Sequence, residues 1–188
     1  MMKVRPTQDT PALDLLSLAD AKAFLRVDHS SDDDLIEALI QAAVDQVTHT
    51  ANTRWKSTTA YGYLEGFFNS RFPVGPVTAV TSVEYIAQGS STYSTLPTAK
   101  YYYGINGGQA HIYFHNYPAL ETEAAERVRI AFTYGYDDST YIRPSQLEQA
   151  AKMMVAHLYD NRLPVVVGPR MNVMPFHIDA LTSTFRYL

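Results

Sequence analysis

DDDLIEALIQAAVDQVTHTANTRW, residues 32–55, decides how the chain must be read. Leu35, Ile36, Leu39, Ile40, Ala43, Val44 and Val47 recur at steps of three and four, the spacing that lines one face of an α-helix. Asp32, Asp33 and Asp34 stand at its start, where the positive end of the helix dipole favours acids. A helix with such a stripe has to bury it against a partner. Upstream, SLADAKAFLRV (17–27) predicts a second helix. Ser17 can cap it, Asp20 completes a capping box, and Leu18, Ala21 and Phe24 or Leu25 share a face. Downstream, SQLEQAAKMMVAHLYDNR (145–162) predicts a third, with Leu147, Ala151, Met154, Val155 and Leu158 on one side. Pro144 suits its start and Pro164 its stop.

Between the helices the period changes. TTAYGYLEGF (58–67), PVTAVTSVEYIA (76–87), KYYYGI (100–105), QAHIYF (109–114) and ERVRIAFTYGY (126–136) are rich in β-branched and aromatic residues. Several alternate apolar with polar, which predicts strands, and Asn106-Gly107 is a hairpin signal. After Pro175, FHIDALTSTFRYL (176–188) reads as a short final helix. The expected fold class is α+β: a small helical bundle of two N-terminal helices, one long and one short C-terminal helix, with an inserted antiparallel β unit. Residues 1–15, with Pro6 and Pro11, are expected to be a flexible arm. Residues 16–56 and 143–188 are expected to form the helical core, and 57–137 the β insertion.

Composition narrows the function. The 188 residues are 46% hydrophobic and 18% charged, with 14 tyrosines and a formal net charge of -4. An acidic chain does not grip nucleic acid or membrane by charge. With no cysteine, disulfides, thiolate metal sites and cysteine nucleophiles are excluded. No apolar h-region opens the chain and no apolar run is long enough for a bilayer, so a protein used without secretion or membrane insertion is expected.

Motifs for chemistry fail one by one. His111 and His115 in HIYFH would lie on one face of a strand with Cβ atoms about 13 Å apart at ~3.3 Å per residue. That is too far to share a zinc ion whose ligand nitrogens sit at about 2 Å. DHSSDDD (28–34) opens like a calcium loop, but Asp33 stands where glycine is needed and Leu39 where the bidentate glutamate belongs. GINGGQ (104–109) lacks the lysine and hydroxyl residue of a phosphate loop. In HLYDNRLPVVVGP (157–169), His157 and Asp160 are one helical turn apart, yet no activated nucleophile accompanies them. Asn161 and Arg162 suit a helix C-terminus, and Pro164 a stop. Of Tyr101, Tyr102 and Tyr103, at least one ring must face outward from a strand. No catalytic, cofactor-binding or metal site is expected.

LSLADAKAFLRVDHSSDDDLIEALIQAAVDQV (16–47) resembles the N-terminal helical pair of the head–tail connector, or neck adaptor, proteins of tailed double-stranded DNA bacteriophages. PVTAVTSVEYI, RVRIAFTYGY, IRPSQLEQAAKMMVAHLYDNR and MPFHIDALTSTFRYL continue the resemblance in the family's order, to the longer members with a β insertion. The resemblance implies a structural virion protein, made in the host cytoplasm and placed in the neck at the capsid portal vertex. It implies a homo-oligomeric ring of about twelve copies under the portal. DNA would pass through its channel without sequence-specific binding, and a downstream neck, stopper or tail protein would dock on it. Carried to this chain, the portal contact falls on Phe176, Phe185, Arg186, Tyr187 and Leu188. The contact between subunits falls on Asp160 or Arg162, and Asp32, Asp33 and Asp34 are candidates for the channel lining. The alternatives are another neck or tail-completion ring protein, or a β-domain module that recognises a carbohydrate or protein through its tyrosines.

Overall fold

The computed structural model describes residues 2–7, 12–137 and 139–161. They form two compact units, one from 12–51 with 143–161 and one from 2–7 with 52–142.

The first unit is helical: a short 3-10 turn Ala12–Asp14, then α1 (Leu18–Leu25), α2 (Asp33–Ala51) and α3 (Ser145–Asp160). At the start of α1 the Ser17 hydroxyl oxygen accepts the Asp20 N–H at 3.1 Å and donates to the Asp20 carboxylate at 2.5 Å. Arg26 ends α1 with φ at 58°, and its N–H and that of Val27 bond back to the last carbonyls of the helix. Ile36, Ile40, Ala43, Val44 and Val47 of α2 are buried, as are Leu147, Ala150, Ala151, Met154 and Val155 of α3, and the two helices pack together. On α1, Ala21 is buried and Leu25 half-buried, while Phe24 is 41% exposed, so Leu25 completes the inner face. Lys22 of α1 reaches Asp33 of α2 at 2.5 Å. α2 stops at Ala51, inside the stretch 32–55 read as helical, where Asn52 turns left-handed with φ at 50°.

The second unit holds β1 (Lys3–Pro6), β2 (Thr58–Leu64), β3 (Ser70–Arg71), β4 (Val77–Ile86), β5 (Tyr93–Thr95), β6 (Tyr101–Asn106), β7 (Gln109–Phe114) and β8 (Val128–Tyr134). A five-stranded sheet runs β1-β2-β8-β4-β5 and a three-stranded one β3-β7-β6, all antiparallel. Alternation fixes the register: Val128, Ile130, Phe132 and Tyr134 of β8 are buried while Arg129, Ala131 and Thr133 are not. They join Ala60, Val77, Val80 and Val83 from the same sheet and Ala110, Ile112 and Phe114 from β7 in one core. Phe72 and Phe132 meet edge to face there, with ring centroids 4.8 Å apart. Gly135, just past β8, has φ at 109°, and a Cβ on it would lie 2.5 Å from the Lys56 carbonyl oxygen.

Part of the stretch read as an arm is strand instead. Lys3–Pro6 pairs with Ala60–Tyr63 of β2, and Met2 is buried in the core. Four residues are too few for periodicity to reveal, and Pro6 is tolerated because an outer strand has one side without ladder bonds.

Phe132→Ala should destabilise the β unit by about 3–5 kcal/mol, and Ile40→Ala the helical unit by about 2–5 kcal/mol. Chemical denaturation would check both. Gly135→Ala should cost more than an ordinary loop substitution, since both the positive φ and the Lys56 carbonyl oppose a side chain.

Candidate assembly surfaces

The polar cluster at the end of α3 is tied inward rather than arranged for catalysis. The Tyr159 hydroxyl donates to the Asp32 carboxylate at 2.5 Å. Asn161, at the C-cap, donates through Nδ2 to the His157 carbonyl at 2.9 Å and lies 3.4 Å from His157 Nδ1. The imidazole therefore meets the capping amide, not a carboxylate acting as an orienting acid. Asp160 closes the helix on an exposed position. Among the described residues no group of three or more His, Cys, Asp or Glu side chains is placed to hold a metal ion, and no helix is long and apolar enough to cross a membrane. Of the acids proposed to line a channel, Asp32 and Asp33 thus hold Tyr159 and Lys22, while Asp34 is exposed.

The outer face of the five-stranded sheet is built from alternating arginines and tyrosines. Arg129 lies over the rings of Tyr93 (4.2 Å) and Tyr61 (5.1 Å) and ion-pairs with Glu84 across the β4–β8 ladder. Arg5 lies 4.6 Å over Tyr63 and forks onto both Glu126 carboxylate oxygens at 2.6 and 3.0 Å. The Tyr93 hydroxyl donates to the Glu126 carbonyl at 2.6 Å. Burial pushes the Tyr93 phenol above its ordinary value, with Arg129 opposing. Arg5, Arg129, Glu84 and Glu126 each have a stacked or ionic partner on this face.

The outer face of the three-stranded sheet is aromatic. Tyr102 and Tyr113 are cross-strand partners whose rings stack at 4.8 Å and 13°. His111 continues the row at 6.5 Å beyond Tyr113, and His115 at 6.2 Å beyond Tyr102. Tyr102 and Tyr113 turn a face to each other, as His111 does to Tyr113, while His115 is tilted by 40° against Tyr102. Of the three consecutive tyrosines, Tyr101 is buried, whereas Tyr102 and Tyr103 are 59% and 42% exposed. Burial also raises the Tyr101 phenol, and Tyr103 adds to that. The outward ring expected from the sequence is Tyr102.

Beside these surfaces, Asp137 holds the turn after β8: its Oδ1 accepts the N–H groups of Ser139 (2.8 Å), Thr140 and Tyr141 (3.1 Å). These bonds hold the carboxyl below its usual range. Nothing in the sequence marks this aspartate except its place before Ser139 and Thr140. Phe176, Phe185, Arg186, Tyr187, Leu188 and Arg162 lie outside the described residues.

Residues 16–91, from the residue before the α1 cap to the turn after β4, match the family model described as phage gp6-like head-tail connector protein. The connector resemblance holds. No curated protein matches the chain. Solved structures share its fold: one described as "Neck of empty GTA particle computed with C6 symmetry" gives a TM-score of 0.75 at 20% identity, covering 100% of this chain and 96% of that one. A second, "Virion of native gene transfer agent (GTA) particle", gives 0.72 at 19% with the same coverage. A third, "Neck of native GTA particle computed with C12 symmetry", gives 0.69 at 18%, again with that coverage. At such identities the likeness is one of fold. The matched family is described as head-tail connector protein, and these structures as the neck or virion of gene transfer agent particles.

Asp137 gives a test with a definite sign. Its folded value is depressed, so its contribution is full above the ordinary carboxylate range and is lost as pH falls through the depressed value. Amides of Ser139 and Tyr141 should lose hydrogen-exchange protection on acidification. In Asp137→Ala they should lack it at neutral pH too, and Asp137→Asn should retain most of it because an acceptor oxygen remains. Separately, Tyr159→Phe should cost about 1.5–3 kcal/mol, the worth of a hydrogen bond to a charged group, read by chemical denaturation.

Proposed function

We propose that the chain is a structural virion protein of the neck, forming an adaptor ring between the portal and the next neck or tail protein. The observation that carries this reading is the family-model match over residues 16–91. The fold likeness along the whole chain to components of gene transfer agent particles supports it, and the C6 and C12 symmetry of two of those particles agrees with a cyclic arrangement of copies. In this reading the helical unit forms the ring and the β unit is carried on it as an insertion. The ring extends the DNA channel, and a chain of net charge -4 leaves DNA free to slide. Phe176, Phe185, Arg186, Tyr187 and Leu188 engage the portal, and Asp160 or Arg162 reaches the neighbouring subunit. The Tyr159–Asp32 bond joins the α3 terminus to the start of α2, which gives Asp160 a fixed position from which to act.

The exposed aromatic row favours a second role for the β unit, recognition of a protein. A carbohydrate ring would need the face of an aromatic ring to stack upon, and the rings of Tyr102 and Tyr113 are turned to each other.

Native mass spectrometry of the protein alone and mixed with the portal ring of the same particle tests the main reading. A discrete gain of about twelve copies matches a closed cyclic ring on the portal. An intact portal with no gain, beside a folded protein, would reject portal docking and leave a tail-completion ring or a binding module. Arg162→Ala should lower ring formation more than it lowers the melting temperature.

A further inference from the structure

The two sheets of the β unit have four outer strands, and three are closed to a newcomer. β1 carries Lys3, Arg5 and Pro6, the charges and proline that keep an edge from pairing. β5 has only 3 residues and β3 only 2. Beside β3, Phe72 N–H bonds to the Ala110 carbonyl at 3.0 Å, and the Asn69 side chain accepts the Phe114 N–H at 3.1 Å. β6 has none of these protections. It is YYYGIN: 6 residues without a charge or a proline, paired to β7 in unbroken register.

The hairpin turn fixes which groups of β6 are unused. Gly107 and Gly108, with φ at 56° and 80°, form a two-residue loop between the partners Asn106 and Gln109. The pair closing such a loop exchanges both backbone bonds, and bonded pairs recur at every second residue. Tyr102 and Gly104 therefore turn their N–H and C=O groups to β7, and Tyr103 and Ile105 turn theirs away from it. The bonds made by Ala110 and Phe114 on the far side of β7 show the same phase. Tyr101, in phase with Tyr103, gives its N–H to Thr98. Among the described residues, β7 is the only strand to which β6 pairs. The backbone of Tyr103 and Ile105 is left, among the described residues, as an open ladder, and Tyr102, Tyr103 and Gly104 are exposed beside it.

We propose that β6 is an acceptor edge, on which an extended segment of another protein adds as a further antiparallel or parallel strand. An open row of alternating donors and acceptors is matched by another extended backbone. The incoming strand should alternate, with apolar residues continuing the inner face past Tyr103 and Ile105. A Cβ built on Gly104 meets nothing within 4 Å, so a bulky side chain of the segment fits across that position, next to Tyr102. The choice of a different protein over a second copy rests on the ring reading. Copies in a closed ring meet through two unlike patches, whereas β6 against β6 is a two-fold contact that leads out of the ring.

Amide exchange on the full-length, isotope-labelled chain tests this, using as probe a peptide of the β7 sequence QAHIYF flanked by lysines. The expected result is that excess peptide slows exchange at Tyr103 and Ile105 by about tenfold or more, while Tyr102 and Gly104, already held by β7, do not change. Tyr103→Pro removes only an outward donor and should keep the hairpin while losing the peptide effect at Ile105. Tyr103→Lys, which places a charge on the edge, replaces it if the proline variant does not fold. No slowing in the wild-type chain at millimolar peptide would overturn the proposal. Slow exchange at both amides without peptide, relieved by dilution, would also overturn it, by showing that a second copy occupies the edge. The native mass with the portal reads the ring separately, so either reading can fail without the other.

Discussion

The contact between α2 and α3 is the constraint on which the other features depend. Ile36, Ile40 and Val47 on one helix and Leu147, Met154 and Val155 on the other are buried where the two pack together, with α1 and the Ala12–Asp14 turn against α2. The chain leaves that pair at Ala51 and returns to it at Arg143, so whatever lies between must begin and end close together. The β unit meets this through its central strand. Thr58, at the start of β2, is registered with Tyr134, at the end of β8, and the two strands run side by side to Leu64 and Val128. The insertion therefore closes at its own base.

How much of this was legible follows from which patterns have length. The three helices announced themselves because each repeats its apolar spacing over at least two turns, and Ser17 with Asp20 marked one start to the residue. Five strands showed β-branched and aromatic composition, several of them with alternation, and Asn106-Gly107 placed the hairpin. β1, β3 and β5 were not legible: they are 4, 2 and 3 residues long, and a pattern of period two needs more than that to stand out. Their existence is a tertiary fact, decided by the strand beside each. The end of α2 was overestimated for a related reason. Thr53, Arg54 and Trp55 continue an acceptable helical composition, and only the left-handed turn at Asn52 sends them into the other unit.

The surfaces were less legible than the fold. HLYDN reads as a constellation of reactive groups, yet Tyr159 and Asn161 spend their hydrogen bonds on Asp32 and on the His157 carbonyl. Linear spacing says which side chains share a helix face, and not which of them finds a partner from another element first. Tyr101, Tyr102 and Tyr103 show the reverse case. Alternation predicted that they would divide between faces, but the stacking of Tyr102 on Tyr113 depends on the hairpin register. The same register decides which backbone groups of the strand are used.

The order in which the chain is made gives the nested architecture a cost. α1 and α2 leave the ribosome with Ile36, Ile40, Ala43 and Val47 uncovered, and the whole β unit is synthesised before α3 can cover them. The β unit needs no such wait: once β8 appears, β2 and β4 both have their central neighbour. In a nascent chain the β unit is thus complete in sequence before the helical unit is. The helical stripe of α2 therefore waits through the synthesis of the whole β unit, and a chaperone acting on it would have to hold residues 33–51 until α3 is complete.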